Sequence, residues 1–159
     1  ARKDRVLRQR GDLVERHLRI GNDGIVAGVV GHVDVKGTGL RHRREHSALY
    51  LDGDYVPLEC DGLHRSKICA FARLHQEQAV VTVVPLLIAD IGATAGSQAQ
   101  AEELWQNTRI AVPSWKTGSG YLNLFTAERL ETLTEDGRQV LPVGQVLRDC
   151  PVAVLERCS

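Results

Sequence analysis

The sequence contains no methionine among its 159 residues, and only 4% of them are aromatic. With so few large rings, aromatic sugar-binding platforms will be scarce, which weakens a lectin-like interpretation, and valine, leucine, isoleucine and alanine are left to form the core. The formal net charge is +0, so no global attraction to nucleic acid or to an anionic membrane is expected. We find no secretory signal and no apolar run of about 18 residues. These features predict a cytoplasmic protein with neither a nucleic-acid nor a membrane partner.

The four cysteines lack the Cys-x-x-Cys spacing of a structural metal site or a redox motif. They are Cys60, Cys69, Cys150 and Cys158. We predict buried or half-buried thiols in a reduced protein, with a Cys60–Cys69 bridge across a hairpin as the alternative. A chain of this length suits one domain that folds without such bridges.

Residues 1–39 form a predicted helical and irregular N-terminal segment. Residues 1–20 are basic, and Leu7, Val14 and Leu18 fall on one face of a helix. Residues 21–39 are rich in glycine and β-branched residues, which favours short strands, over 25–30 and 32–35, and turns. We interpret the basic charges as a solvated helix face. A nucleic-acid or protein partner bound by residues 1–20 and Arg41 to Arg44 is the alternative.

Two short patterns near residue 40 suggest ligand sites that the surrounding residues disfavour. Residues 31–38 resemble a phosphate-binding loop, but Lys36-Gly37 reverses the Gly-Lys order that such loops need. His42 and His46 have the i, i+4 spacing of two metal ligands on a helix, yet Arg41, Arg43 and Arg44 around them oppose a cation. We therefore predict surface histidines, with no metal and no cofactor.

Residues 40–159 have the pattern of a β domain. A helix is predicted from residue 40 to about residue 50, followed by short strands separated by Gly, Asp and Pro. The near-continuous apolar run from residue 80 to 88 indicates a central strand covered on both faces, which Pro85 interrupts or ends. We also expect a short helix within residues 89–106 and a helical turn within 143–148. The predicted strands span residues 67–74, 79–88, 108–112, 121–125, 139–141 and 152–156. The fold class is mainly β, an antiparallel β-sandwich-like domain.

Several weak motifs in this domain occur in the order found at the carboxyl-terminal end of one enzyme family. They are Gly53 to Leu58, Ala70-Phe-Ala-Arg73, Val80-Val-Thr-Val-Val-Pro85, the spaced residues Trp105, Thr108 and Pro113, and Pro151-Val-Ala-Val-Leu-Glu156. The chain resembles maltooligosyltrehalose synthase, of the alpha-amylase clan, over residues 40–158. It departs from the family pattern at Ser47, where Pro is usual, at Leu86, where Arg is common, and at Ala127, where Gly is expected.

The resemblance implies that this chain supports a reaction whose catalytic residues lie in another domain of the parent protein. The family converts the reducing-end α-1,4 linkage of a maltooligosaccharide into an α,α-1,1 linkage, using acids on a (β/α)8 barrel. A barrel needs roughly 200 residues or more, so we predict an accessory domain that is inactive alone and has no catalytic residue. Its expected partners are the barrel of the same parent protein and, through it, the maltooligosaccharide. The alternative is an independent carbohydrate-binding or protein-interaction β domain, in which Trp105, Trp115 or Tyr121 would stack on sugar rings.

Overall fold

A computed structural model describes residues 34–86, 103–114 and 120–158 of the protein. All of them belong to a compact unit that spans His32–Ser159. The helices within them are α1 (Val35–Glu45), α2 (Ser47–Leu51) and α3 (Val143–Val146), and a 3-10 turn spans Arg65–Lys67. The strands are β1 (Asp54–Pro57), β2 (Cys60–Asp61), β3 (Ile68–His75), β4 (Gln78–Pro85), β5 (Arg109–Val112), β6 (Gly120–Asn123), β7 (Arg129–Glu131), β8 (Leu133–Glu135), β9 (Arg138–Pro142) and β10 (Ala153–Cys158).

The strands form two antiparallel sheets, which confirms the predicted fold class. The six-stranded sheet has the order β1-β3-β4-β10-β6-β7, and the four-stranded sheet has the order β2-β5-β9-β8. One hydrophobic core contains residues from both sheets, including Val83 and Leu155 from the larger and Ile110 and Leu141 from the smaller. The two sheets are therefore stabilised by burial of a shared apolar surface.

The strands show the period-two burial expected of a sheet with one face in the core. In β3, Ile68, Ala70 and Ala72 are buried, whereas the residues between them are partly exposed. Strand β4 differs because all residues from Ala79 to Pro85 are buried, which confirms a central strand covered on both faces. The strand ends at Pro85, which has no backbone N–H to continue the ladder.

The final strand, β10, lies inside the six-stranded sheet between β4 and β6. Leu155 pairs with Val81 of β4 and with Asn123 of β6, and it is fully buried. Since side chains alternate along a strand, Glu156 faces the opposite side of the sheet.

The segment just before residue 40 differs from the prediction of strands and turns. Residues 35–39 are helical, so the predicted boundary between residues 39 and 40 lies inside α1. The Asp34 carboxylate begins this helix by accepting a hydrogen bond from the Gly37 N–H at 2.7 Å. This capping bond outweighed the low helix propensity of Val35, Gly37 and Gly39.

The strand predictions from residue 67 onward agree with the structure to within a few residues at their ends. The helical turn predicted within residues 143–148 is α3, and the helix predicted from residue 40 comprises α1 and α2. The short strands β1, β2, β7 and β8 were missed, because two to four residues carry too little alternation to be recognised. The predictions for residues 1–33 and most of those for residues 87–102 lie outside the described residues.

Candidate functional site

Helix α1 brings His42 and His46 together on one face, as their i, i+4 spacing requires. The two imidazole rings stack with their centroids 4.3 Å apart and their planes at 20°. The prediction that both are surface histidines is wrong for His42, which is only 6% exposed. Its ring is buried because α1 packs this face toward the six-stranded sheet, where Glu156 of β10 lies.

Glu156 completes the cluster from the far end of the described chain. Its Oε1 atom lies 3.3 Å from Nε2 of His42 and 3.7 Å from Nε2 of His46. One ligand-type atom from each of the three residues lies within 4.8 Å of the others. Sequence reasoning missed this acid because nothing local to β10 indicates which helix covers its outer face.

Tyr50 of α2 contacts one ring nitrogen of His42, Nδ1. Its hydroxyl oxygen lies 2.8 Å from Nδ1 of His42. Burial raises the pKa of Tyr50 to about 12, and the negative charge of Glu156 acts in the same direction. The phenol is therefore neutral at physiological pH. It fixes the orientation of the imidazole through a hydrogen bond at Nδ1.

The second nitrogen of His42 is a buried polar atom without a hydrogen bond. Nε2 is shielded from solvent, and its 3.3 Å contact with Glu156 Oε1 falls outside the geometry of a well-formed hydrogen bond, although the carboxylate still attracts a proton on that nitrogen. Burial lowers the pKa of His42, and the nearby Glu156 carboxylate only partly offsets this effect. The ring is therefore biased toward its neutral form, in which one nitrogen carries a lone pair.

The chemistry open to this cluster is the binding of a proton or a cation. Two imidazoles and one carboxylate converge on a small volume, and each can donate an electron pair. Retaining glycoside hydrolysis needs two carboxyl groups about 5 Å apart, one as nucleophile and one as acid and base. The cluster contains a single carboxyl group, so its composition does not fit that reaction.

Two of the three aromatic residues considered for sugar stacking belong to the hydrophobic core. Trp105 is 4% exposed and makes an edge-on contact with His64, with ring centroids 6.0 Å apart. Tyr121 is 0% exposed. Neither ring presents a face to solvent, and this burial favours packing over sugar stacking for both residues. Trp115 lies outside the described residues.

Cys60 and Cys150 are thiols, as the sequence predicts. Burial raises the pKa of Cys60 to about 11 and also raises the pKa of Cys150. Both groups are therefore protonated and poorly nucleophilic at physiological pH. Their environment indicates packing residues without a catalytic role.

In the part of the chain that the structure describes, no helix combines the length and the apolar content needed to cross a membrane.

No protein-family model matches the sequence, and no curated protein is significantly similar to it. A solved structure is similar to this chain. It is the crystal structure of a noncanonic maltogenic alpha-amylase, AmyB, from Thermotoga neapolitana, with a TM-score of 0.48 and 14% sequence identity. The similarity covers 76% of this chain and 24% of that chain, so the protein spans about a quarter of the amylase's length.

Proposed function

We propose that this chain is the carboxyl-terminal β domain of an alpha-amylase-clan enzyme of the maltooligosyltrehalose synthase type. In this proposal the domain packs against a catalytic barrel of the same parent protein and stabilises it. The barrel carries the acids for the intramolecular transfer that forms the α,α-1,1 linkage. This chain supplies no catalytic residue and is inactive by itself.

The observation that carries the proposal concerns Ala127, where the resemblance leads us to expect glycine. The backbone of Ala127 has a φ of 59°, in the left-handed region that glycine adopts without steric cost. The Ala127 N–H donates to the carbonyl oxygen of Asn123 at 2.8 Å, and the Phe125 N–H donates to the Asn123 side chain at 3.0 Å. The family pattern thus expects glycine where the backbone of this turn independently favours it, which supports the alignment at this position.

Gly53, which begins the matched Gly-Asp-Tyr-x-Pro-Leu motif, gives a second agreement of this kind. A Cβ atom at this position would lie 2.2 Å from the carbonyl oxygen of Leu49, so the close approach of α2 requires glycine. The motif continues as β1, which is an edge strand beside β3. Pro57 is tolerated there because one side of an edge strand needs no ladder hydrogen bonds.

The first test is the intact mass of the native gene product, captured from its source with an antibody against this chain. The proposal predicts a mass several times 17.5 kDa, as expected of a protein that also contains a barrel. A native mass near that of this chain would contradict it.

The second test is the reaction of the full-length product with maltoheptaose. We expect reducing ends to disappear without shortening of the oligosaccharide, and the α,α-1,1 linkage to appear in the NMR spectrum. A gain of reducing ends with release of short sugars would instead identify a hydrolase, which would keep the domain assignment and refute the synthase specificity.

Calorimetry of the 159-residue chain with maltoheptaose tests the independent carbohydrate-binding alternative. Since Trp105 and Tyr121 are buried, we expect no heat of binding. Millimolar or tighter binding that Trp115→Ala abolishes would favour a sugar-binding module over an accessory domain.

A further inference from the structure

We propose that His42, His46 and Glu156 bind a zinc ion that joins helix α1 to strand β10. The residues converge from the first described helix and the last strand, with ligand-type atoms within 4.8 Å of one another. The site is separate from the barrel chemistry of the proposed function and does not rest on it. The evidence for this zinc site is the geometry of the three side chains.

The distances are close to those of ligands around one tetrahedral ion. Zinc bonds to imidazole nitrogen and carboxylate oxygen of about 2.0–2.1 Å place neighbouring ligand atoms roughly 3.3–3.4 Å apart. Glu156 Oε1 and His42 Nε2 are 3.3 Å apart, and Glu156 Oε1 and His46 Nε2 are 3.7 Å apart. The third pair, formed by the two imidazoles, is bounded only by the 4.8 Å that encloses all three ligand atoms, so the partly exposed His46 side chain would turn toward the other two ligands when the ion binds.

The hydrogen-bonding state of His42 provides an independent argument. If Nε2 carries the proton, the nearby acceptor is the Glu156 carboxylate at 3.3 Å, in a contact outside good hydrogen-bond geometry, so a buried donor is poorly satisfied. If Nδ1 carries it and donates to the Tyr50 hydroxyl, the Nε2 lone pair faces the Glu156 carboxylate at 3.3 Å. Two electron-rich atoms at that distance repel each other. A cation between them removes the repulsion and uses both lone pairs.

Tyr50 acts as the outer partner that metal-bound histidines generally have. Imidazole ligands bind through one nitrogen and form a hydrogen bond through the other, which fixes the tautomer and orientation of the ring. The 2.8 Å contact between Nδ1 of His42 and the Tyr50 hydroxyl supplies this bond. Arg43, one of the three arginines near the histidines in sequence, lies against the Tyr50 ring, with its guanidinium carbon 5.9 Å from the ring centroid. Arg41 and Arg44 are exposed to solvent.

The ligand types and their exposure favour zinc with one open position. Two imidazoles and a carboxylate suit zinc, whereas magnesium and calcium prefer ligand sets of oxygen alone. The side chains of His46 and Glu156 are 26% and 34% exposed, so a water molecule can reach the fourth coordination position. Since the ligands come from distant parts of the sequence, the bound ion would also stabilise the folded state.

The experiment uses the tag-free 159-residue chain, from which metals have been removed with a chelator and dialysis. Titration with zinc chloride in a calorimeter is expected to show one ion per chain, with a dissociation constant in the micromolar range or below. Cobalt chloride should produce the visible absorption of four-coordinate cobalt. Zinc should raise the thermal unfolding temperature, and adding the chelator should reverse that rise.

Variants of the partly exposed ligands test the assignment with the least risk of misfolding. Glu156→Gln and His46→Gln should each weaken zinc binding at least about tenfold and abolish the zinc-dependent rise in unfolding temperature. Tyr50→Phe keeps the ring but removes the hydroxyl, so it should weaken binding about 10- to 100-fold. His75→Gln and Glu131→Gln are the matched controls outside the cluster and should bind zinc as the unmodified chain does.

Three results would overturn the proposal. The first is a correctly folded, metal-free chain that takes up no zinc. The second is unchanged affinity in both Glu156→Gln and His46→Gln. The third is binding that is lost in Cys60→Ala but kept in the Glu156 variant, because the ion would then be bound by thiol ligands.

Discussion

Ala127 adopts a backbone conformation that its side chain disfavours. Among the described non-glycine residues, Gln76, Asn107, Ala127 and Asp136 have positive φ. Asn and Asp tolerate the left-handed region because their short polar side chains form local hydrogen bonds, whereas alanine has no such compensation. The turn after β6 therefore contains local strain.

We predict that Ala127→Gly stabilises the protein by about 0.5–1 kcal/mol. Relief of the left-handed conformation gains roughly 1–2 kcal/mol, and the greater freedom of glycine in the unfolded chain offsets part of it. Ala127 is exposed, so no core contact is lost. Urea denaturation measures the change. The exposed helical residue Ala48 provides the control, since Ala48→Gly should destabilise the protein by about 1 kcal/mol. A loss of stability in both variants would refute strain at Ala127.

Cys60 should make the stability of the protein sensitive to alkaline pH. Burial is the main cause that raises its pKa from 9.0 to about 11, with smaller contributions from Cys69 and Asp61. Above pH 9.0 the unfolded thiol loses its proton first. The contribution to stability is therefore complete below that pH and is lost as the pH rises toward about 11.

The measurement compares urea midpoints of the unmodified protein and Cys60→Ala below pH 9.0 and near pH 11. The unmodified protein should lose more stability over this interval, because other titrating groups affect both proteins equally. Equal losses in the two proteins would show that burial of Cys60 does not control this pH range.

Helix α1 depends on a single capping interaction at its first turn. The Gly37 N–H donates to the Asp34 carboxylate, and a Cβ atom on residue 37 would lie 1.9 Å from Asp34 Oδ2. At Gly39, by contrast, a Cβ atom would meet nothing within 4 Å. The two glycines therefore differ in what an added methyl group would do.

We predict opposite effects from the same substitution at these two positions. Gly39→Ala should stabilise the protein by about 1 kcal/mol through helix propensity. Gly37→Ala should gain nothing or destabilise, because the methyl group displaces the Asp34 cap, which contributes about 1 kcal/mol. In an Asp34→Ala background, Gly37→Ala should become stabilising. Thermal unfolding of the four variants measures this coupling, and equal gains at both glycines would show that the cap is unimportant.

The six-stranded sheet depends on its last strand for continuity. Strand β10 joins β4 on one side to β6 on the other, and Leu155 is fully buried where the strands meet. A chain this size has a total stability of about 5–15 kcal/mol. Loss of one core side chain at this position is therefore a large fraction of the total.

We predict that Leu155→Ala costs about 2–5 kcal/mol, through lost apolar burial and the cavity left behind. Val154→Ala is the matched control, because Val154 lies on the opposite face and is partly exposed. It should cost about 1 kcal/mol. Chemical denaturation of both variants gives the difference, and similar costs would mean that the face assignment of β10 is incorrect.

Most of the strands, and the helix that carries the two histidines, could be predicted from local sequence patterns. Strands such as β4 and β10 follow from short apolar runs that contain β-branched residues, which are local properties of the sequence. The i, i+4 spacing of His42 and His46 is local in the same sense. The motif order that resembles the synthase family was also available from the sequence alone.

The surroundings of those residues depend on how the elements pack. The packing of α1 against the six-stranded sheet buried His42 and placed Glu156 beside it. The same packing principle placed Trp105 and Tyr121 in the core, where the sequence had left sugar stacking open. The physical reason is that strand order and the face a helix covers depend on burial of apolar surface across the whole domain, which no local pattern records.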